Sequence, residues 1–125
     1  MKYSVLAPMA QLIVFTRSGK MVDSCHTFLS IESILGESVY ERYPILQSLQ
    51  SVLEHLEGND GPIHLPGVDF SFEGRSGYYD FELFAHPSEA DWLVWVLLDN
   101  SALYKYFRPI QQERNELRAQ HERDR

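Results

Sequence analysis

The chain has 125 residues and a formal net charge of −7 at pH 7, and 44% of its residues are hydrophobic. That length suits one domain with one sizeable core, and the composition predicts a folded chain. The negative charge argues against a nucleic-acid partner, because phosphates would repel it. Cys25 is the single cysteine, which rules out an internal disulfide and fits a reducing, cytoplasmic compartment.

The N-terminus and the apolar runs bear on membranes and secretion. No apolar run in the sequence reaches the roughly 18 residues that a membrane-spanning helix needs. Residues 1–10, MKYSVLAPMA, lack the basic start and long apolar stretch of a signal peptide. We therefore expect a cytoplasmic module without a membrane span in this segment, and we assign residues 1–10 to an N-terminal cap that takes part in dimerisation.

The first half of the chain predicts a hairpin followed by helices. QLIVFT, the turn sequence RSGK and the segment MVDSCHTF indicate a β-hairpin over 11–24. Gly36 interrupts the mixed segment 27–43, which predicts two or three short helices. Pro44 then opens one longer helix that ends at Gly58. Its apolar stripe has helical spacing and consists of Ile45, Leu46, Leu49, Val52, Leu53 and Leu56.

The second half of the chain predicts three strands. HLPGVDFSFE and YYDFELFA both alternate between apolar and polar residues, and GRSG (74–77) predicts the hairpin loop between them. DWLVWVLLD is apolar on both faces, which is typical of a central strand or of one covered on both sides. The apolar faces of the first two strands carry Val68, Phe70, Phe72, Tyr79, Phe81 and Leu83.

The last part of the chain predicts a helix that leaves the domain. Asp99-Asn100-Ser101 are good capping residues, and Pro109 predicts a kink or break near Lys105–Arg108. An apolar seam with heptad spacing favours a two-stranded coiled coil up to residue 117, against the alternative of a solvated, frayed tail. The residues of this predicted dimer and signalling helix are Leu103, Phe107 (or Tyr106), Ile110 and Leu117.

The order of these elements and three stretches of sequence resemble a PAS domain, a sensor and signalling module of bacterial-type multidomain proteins. ILGESVYERYP (34–44) is similar to the family's short-helix segment, and FEGRSGYYDFELFAHP (72–87) is similar to one of its hairpins. WVLLDNSALYKYF (95–107) resembles the last strand with its Asp-x-Thr ending, in whose place Asp99-Asn100-Ser101 stands. The resemblance covers roughly residues 10–107.

The resemblance implies an α+β fold, in which helices pack on one face of a five-stranded antiparallel sheet and a C-terminal helix projects. It also implies a regulatory role: a homodimer senses a signal and passes it through that helix to an effector, such as the histidine kinase of a two-component system or a nucleotide cyclase. We expect a cap at 1–10, the PAS domain at 11–101 and a coiled-coil-like signalling helix at 102–125.

The sequence offers no constellation for catalysis or metal binding. Cys25 and His26 are adjacent on a predicted strand, so they point to opposite faces and form no nucleophile–base pair. Cys25 also lacks the Asn-Cys-Arg context of the family's flavin-binding light sensors. No two histidines have the close spacing of a zinc site. We therefore expect a protein that is not an enzyme and that needs no cofactor and no metal.

Binding of a small molecule or haem in the core is the alternative. The pocket candidates lie between the sheet and the long helix: Phe28, Leu49, Phe81 and Trp95. Aromatic residues at these spacings more often form plain core than a ligand cage. Haem-binding members of the family use a histidine on the long helix; His55 lies there but off its apolar stripe, which favours a solvated side chain.

The apolar character of both faces of 92–98 predicts a second protomer. Helices cover one face of such a sheet, so a large apolar group remains on the other, whichever of Trp92 or Trp95 lies there. We expect a homodimer formed through the N-terminal segment, the outer sheet face and the C-terminal helix. The N-terminal residues predicted to cover the apolar face are Tyr3, Val5, Leu6 and Met9.

Overall fold

The structure is a computed structural model that describes residues 9–26 and 31–102. A five-stranded sheet is built from two strands before a helical segment and three strands after it. The elements are β1 (Met9–Thr16), β2 (Met21–His26), a 3-10 turn (Glu32–Ile34), α1 (Val39–Arg42), α2 (Pro44–Ser48), α3 (Gln50–Leu53), β3 (Ile63–Phe72), β4 (Arg75–Ala85) and β5 (Trp92–Asp99).

The first and last strands lie side by side in the middle of the sheet. The strand order is β2-β1-β5-β4-β3, and all neighbouring strands are antiparallel. Trp95 of β5 therefore lies opposite Ile13 on one side and Leu83 on the other. The predicted hairpin over 11–24, the antiparallel sheet and the central position of 92–98 are confirmed.

We call the side of the sheet that carries Trp95 the inner face, and the opposite side, which carries Trp92, the outer face. The helical segment packs on the inner face, where Ile34, Leu46 and Leu53 join one core cluster with the strands. Fully burying a large apolar side chain contributes about 1.5–3 kcal/mol. The predicted apolar faces of β3 and β4 point inward, and four of their residues are 0% exposed: Phe72, Tyr79, Phe81 and Leu83.

The prediction of one longer helix after Pro44 is wrong in one respect, because the segment forms two short helices, α2 and α3. Leu49 has φ −100° and ψ 1°, outside the helical region, and its N–H bonds to the Leu46 carbonyl at 3.0 Å, as in a tight 3-10 turn. The break reorients the apolar stripe. Leu53 and Leu56 are buried, whereas Val52 is 52% exposed.

The hairpin loop between β3 and β4 is also shorter than predicted. Its two turn residues, Glu73 and Gly74, have φ 47° and 86°, as a two-residue type I′ turn requires. Phe72 pairs with Arg75, so residues 75–77 of the predicted GRSG loop belong to β4. A two-residue turn matches the right-handed twist of the strands, and this geometry overrides the loop signal of Gly77.

Two further differences concern the ends of the elements. β1 begins at Met9, where Met9 and Ala10 pair with Asp99 and Leu98. Residues 101–102 are helical, so the C-terminal helix begins at Ser101. Several predictions lie outside the described residues: residues 1–8 of the cap predicted at 1–10, Phe28, the kink at Pro109, and the seam of Leu103, Phe107, Ile110 and Leu117.

Candidate functional site

The inner face is filled by a cluster of aromatic rings around Trp95. The ring centroids of Tyr43 and Phe81 each lie 5.2 Å from that of Trp95, at steep interplanar angles. Phe70 packs edge-on against Phe81 at 5.1 Å. Edge-to-face pairs of this kind contribute about 0.5–1.5 kcal/mol each beyond their buried area. The cluster is therefore a tightly packed core that extends from β5 to the helical segment.

The predicted pocket residues reach the core to different degrees. Phe81 and Trp95 are fully buried and in contact, and Leu49 is partly buried against the same cluster. The structure thus brings these three together, while Phe28 lies outside the described residues. His55 is exposed, and its Nδ1 lies 2.9 Å from the Ser51 carbonyl. An exposed side chain of this kind lies outside the aromatic cluster that a core-bound haem would have to enter.

Two buried polar atoms of the inner face have no hydrogen-bond partner within the described part of the chain, Gln11 Oε1 and Trp95 Nε1. Gln11 is 1% exposed, and its Nε2 donates to Ser24 Oγ at 3.3 Å. Gln11 lies opposite Leu97 and Trp95 opposite Ile13, so the two are diagonal neighbours roughly 7–8 Å apart. Neighbouring strands of the core therefore carry an unpaired acceptor and an unpaired donor, and each costs about 1–3 kcal/mol.

A charged cluster holds α1 against the β3–β4 turn. The Glu73 carboxylate accepts hydrogen bonds from Arg42 Nε at 2.9 Å and Arg42 Nη2 at 2.5 Å, and from Tyr43 Oη at 2.8 Å. Arg42 Nη1 also donates to Glu37 at 3.2 Å. Bidentate arginine–carboxylate pairs fix geometry as well as adding energy. We call Arg42, Tyr43 and Glu73 the clasp.

The clasp shifts the pKa of each of its members. Hydrogen bonds from Arg42 hold the pKa of Glu73 below its ordinary value, and the same bonds raise the pKa of the Arg42 guanidinium. Burial and then the hydrogen bond to Glu73 raise the pKa of Tyr43. Near neutral pH the carboxylate is therefore charged and the phenol is protonated, which is the state that the hydrogen bonds require.

A second polar cluster holds the start of the C-terminal helix. Asp99 Oδ1 accepts the Ser101 N–H at 3.0 Å and the Ser101 Oγ–H at 2.5 Å, while Oδ2 accepts Arg75 Nε at 3.0 Å. The Asn100 N–H donates to the Tyr78 carbonyl at 3.0 Å, and the Tyr78 N–H donates to Ser101 Oγ at 3.1 Å. We call Asp99, Asn100 and Ser101 the exit junction.

The hydrogen bonds at the exit junction outweigh the effect of burial on Asp99. Burial alone would raise the pKa of this carboxyl, but the bonds from Ser101 and Arg75 hold it below its ordinary value. Asp99 is therefore charged at neutral pH, and its side chain is 9% exposed. The residues predicted from the sequence as helix caps thus lie in a network that ties the helix start to β4.

Gly77 makes room for the exit junction. A Cβ at this position would lie 2.1 Å from Ser101 Oγ, closer than any real contact. Gly77 lies in β4, opposite Phe70. Since it has no side chain, Ser101, the first helical residue, can approach the sheet closely at this point. The sequence predicts a loop at Gly77, whereas the residue lies in β4; a glycine inside a strand pattern is the signal that points to its role.

Asp80 connects the exit junction to an irregularity in β3. Its Oδ1 accepts the Gly67 N–H at 2.8 Å, and its Oδ2 accepts a hydrogen bond from Asn100 Nδ2. Gly67 has φ 64° and lies where the pairing register shifts between Leu65 and Val68. The Asp80 carboxylate is therefore hydrogen-bonded both to the edge strand β3 and to Asn100, the residue before the helix start.

In the part of the chain that the structure describes, the remaining chemically active side chains do not gather into a site. Cys25 is exposed on β2, opposite Leu12 of the outer face. Within 9–26 and 31–102, no three His, Cys, Asp or Glu residues come together as metal ligands. No helix in these ranges is long and apolar enough to cross a membrane.

The outer face carries a second apolar surface, as the sequence predicted. Trp92 is the tryptophan that lies there, and Val14 and Val94 beside it are 7% and 4% exposed. Other apolar residues of this face are half-buried: Leu12, Phe84, Val96 and Leu98. Asp80 and Glu82 of β4 lie next to Leu98 and Val96 on the same face.

The comparisons with known proteins concern the fold. No family model matches the chain, and no curated protein matches it. Among solved structures, the PAS domain of BvgS from Bordetella pertussis is similar, with a TM-score of 0.55 and 13% sequence identity over 90% of each chain. The chain has a PAS-like fold. The expected PAS-like architecture is thereby confirmed, and at this identity the likeness extends to the fold alone.

Proposed function

We propose that the chain is a regulatory PAS module of a bacterial-type signalling protein, and that it relays a change in its core or interface through its C-terminal helix to an effector. The observation that carries the proposal is the exit junction, where β5 passes into a helix at Ser101 through hydrogen bonds to β4. A helix start held in this way follows any movement of the central strand. The effector would be a histidine kinase or a nucleotide cyclase.

A kinase chimera tests the relay. The full 125-residue chain replaces the PAS domain of a histidine kinase in which that domain directly precedes the kinase, and autophosphorylation is measured. We expect Gly77→Ala to change the rate by about fivefold or more, because the new Cβ displaces Ser101. Gly58→Ala is the matched control, since a Cβ there meets nothing within 4 Å. Equal rates for the original chimera and both variants would contradict the proposal.

We also propose that two copies pair through the outer face, with the N-terminal segment (1–10) and the C-terminal helix (102–125) taking part. The support is the apolar surface around Trp92 and Val96, which lies on the side of the sheet opposite the described helices. Apolar surface of that kind favours an interface. With its single cysteine, the module suits the cytoplasm.

Small-molecule binding in the core is the second candidate function. The specific observation in its favour is the pair of unpartnered atoms, Gln11 Oε1 and Trp95 Nε1. A small neutral ligand with one donor and one acceptor would satisfy both. Native mass spectrometry and an absorption spectrum of the purified protein show whether a small molecule is bound. A co-purifying molecule lost in a Gln11→Leu variant supports the candidate, and a colourless protein without added mass contradicts it.

A further inference from the structure

The β3–β4 turn lies between the clasp and the exit junction. We propose that this turn couples the aromatic core to the C-terminal helix. On one side the Glu73 carboxylate accepts hydrogen bonds from Tyr43 and from Arg42 of α1, and on the other side Arg75 donates to Asp99. Displacement of Tyr43 then alters how the exit junction is held. The inference rests on the proposed signalling function and names the route that the signal takes.

The conformation of Glu73 first points to this role. Its φ of 47° is uncommon for a residue with a side chain, and it is the one such residue in the described ranges. The first position of a type I′ turn favours Asn, Asp or Gly, which adopt positive φ with less strain. Strain of this kind persists where the surroundings fix the residue. Here the bonds to Arg42 and Tyr43 fix it.

At the core end, Tyr43 connects the clasp to the aromatic cluster. Its ring is 3% exposed and lies 5.2 Å from Trp95, 5.8 Å from Phe70 and 5.9 Å from Phe72. Its hydroxyl donates directly to Glu73. A repacking of the cluster that tilts this ring therefore pulls on the turn, and burial, which raises the pKa of Tyr43, keeps the phenol in its donating form.

At the exit end, Arg75 carries the movement to Asp99. Only Gly74 separates Arg75 from Glu73, and Arg75 pairs with Phe72 to close the turn. The Arg75 carbonyl accepts a hydrogen bond from Tyr79 Oη at 2.6 Å, which fixes its backbone, while its Nε donates to Asp99 Oδ2. The other oxygen of Asp99 holds Ser101. Four residues thus form a continuous path from Tyr43 to the helix: Glu73, Arg75, Asp99 and Ser101.

The forward test reads the helix start while the clasp is changed. A spin label is attached to Ala102→Cys, an exposed position, in the full chain with Cys25→Ser. Tyr43→Phe keeps the ring and removes the hydroxyl, and Glu73→Asn keeps a residue that tolerates positive φ and removes the grip. We expect the mobile fraction of the label to rise about threefold or more in both variants.

Glu37→Gln is the matched control for the forward test. It removes the other carboxylate bonded to Arg42, at 3.2 Å, on a residue outside the turn. The label should behave as in the parent protein.

The reverse test uses the reciprocity of coupling. Asp99→Asn weakens the exit junction, and amide hydrogen exchange is measured in α1 at the Tyr43 N–H, which bonds to the Val39 carbonyl at 2.9 Å. We expect exchange there to accelerate by about threefold or more. Asp69→Asn, an exposed carboxylate of β3, is the control and should leave this exchange unchanged.

The inference is overturned if Tyr43→Phe and Glu73→Asn leave the label as Glu37→Gln does, or if Asp99→Asn affects exchange at the exit junction alone. Chemical unfolding of each variant checks that it folds. If Glu73→Asn does not fold, the result for Tyr43→Phe alone decides whether the inference holds. These measurements need no effector. If the label and exchange tests show coupling but Gly77→Ala leaves the kinase rate of the chimera unchanged, the proposed function is contradicted. If the kinase rate responds but the label and exchange tests show no coupling, this inference is contradicted.

Discussion

The aromatic core and the polar rim at one end of the sheet hold the PAS-like fold together in different ways. The core packs rings around Trp95 without charged groups, whereas the rim, which consists of the clasp and the exit junction, uses partly exposed carboxylates and arginines. Apolar burial is strong and undirected, while charge-assisted hydrogen bonds are weaker near water but fix geometry. The core therefore supplies stability, and the rim determines where the C-terminal helix begins.

The largest expected effect is a truncation in the core. Phe81→Ala removes a ring that packs against Trp95 and Phe70, and we expect it to lower the free energy of unfolding by about 3–5 kcal/mol. Val52→Ala, at a position that is 52% exposed, should stay within about 0.5 kcal/mol. Urea unfolding measures both. Similar values would mean that the aromatic cluster is not the main source of stability.

A smaller effect is expected where the rim meets the sheet. Gly77→Ala places a Cβ against Ser101 Oγ, and we expect a loss of about 1–3 kcal/mol because the exit junction must shift. Gly58→Ala serves as the control for the substitution itself. Hydrogen exchange at the Ser101 N–H should rise in the first variant. If it stays constant while stability falls, the strain lies elsewhere in β4.

Acid should weaken the rim in a way that identifies its carboxylates. The pKa values of Glu73 and Asp99 are lowered in the folded state, so the unfolded chain binds more protons below their ordinary values. Their contribution is complete above that range and is lost as the pH falls below about 4. Glu73→Gln should therefore flatten the dependence of unfolding free energy on pH. An unchanged slope between pH 5 and 3, roughly the range of carboxyl titration, would exclude Glu73 as a contributor.

The smallest effect is expected at the outer bond of the clasp. Arg42 and Glu37 are 33% and 50% exposed in their side chains, and exposed ion pairs contribute about 0–1 kcal/mol. Glu37→Gln should change the unfolding free energy by less than about 0.5 kcal/mol. A larger loss, measured by the same urea titration, would mean that Arg42 depends on Glu37 as much as on Glu73 to hold its position.

The sequence predicts the sheet well because alternation along a strand is a local pattern. The inward positions of Tyr79, Phe81 and Leu83 and the central place of 92–98 follow from it directly. The break at Leu49 does not, since the apolar spacing continues through it and only the backbone angles reveal it. The turn at Glu73 was missed because glutamate is rare at positive φ.

The candidate site is harder to predict than the fold, because its contacts join distant parts of the chain. Arg42 and Glu73 are 31 residues apart, and Gln11 meets Ser24 across a strand pair. The capping pattern of Asp99 and Ser101 was visible in the sequence, but their bonds to Arg75 and Tyr78 depend on the strand register. The pairing register of β3 and β4 follows only from the conformation of the turn between them.

We propose that a second protomer covers the apolar outer face of the sheet, around Trp92 and Val96. Sedimentation velocity of the 125-residue chain over a wide range of micromolar concentrations tests it most directly. We expect a dimer of twice the 14.5 kDa chain mass, and we expect Val96→Glu on the outer face or truncation after Asp99 to shift it toward the monomer. A single species of 14.5 kDa at every concentration would contradict it.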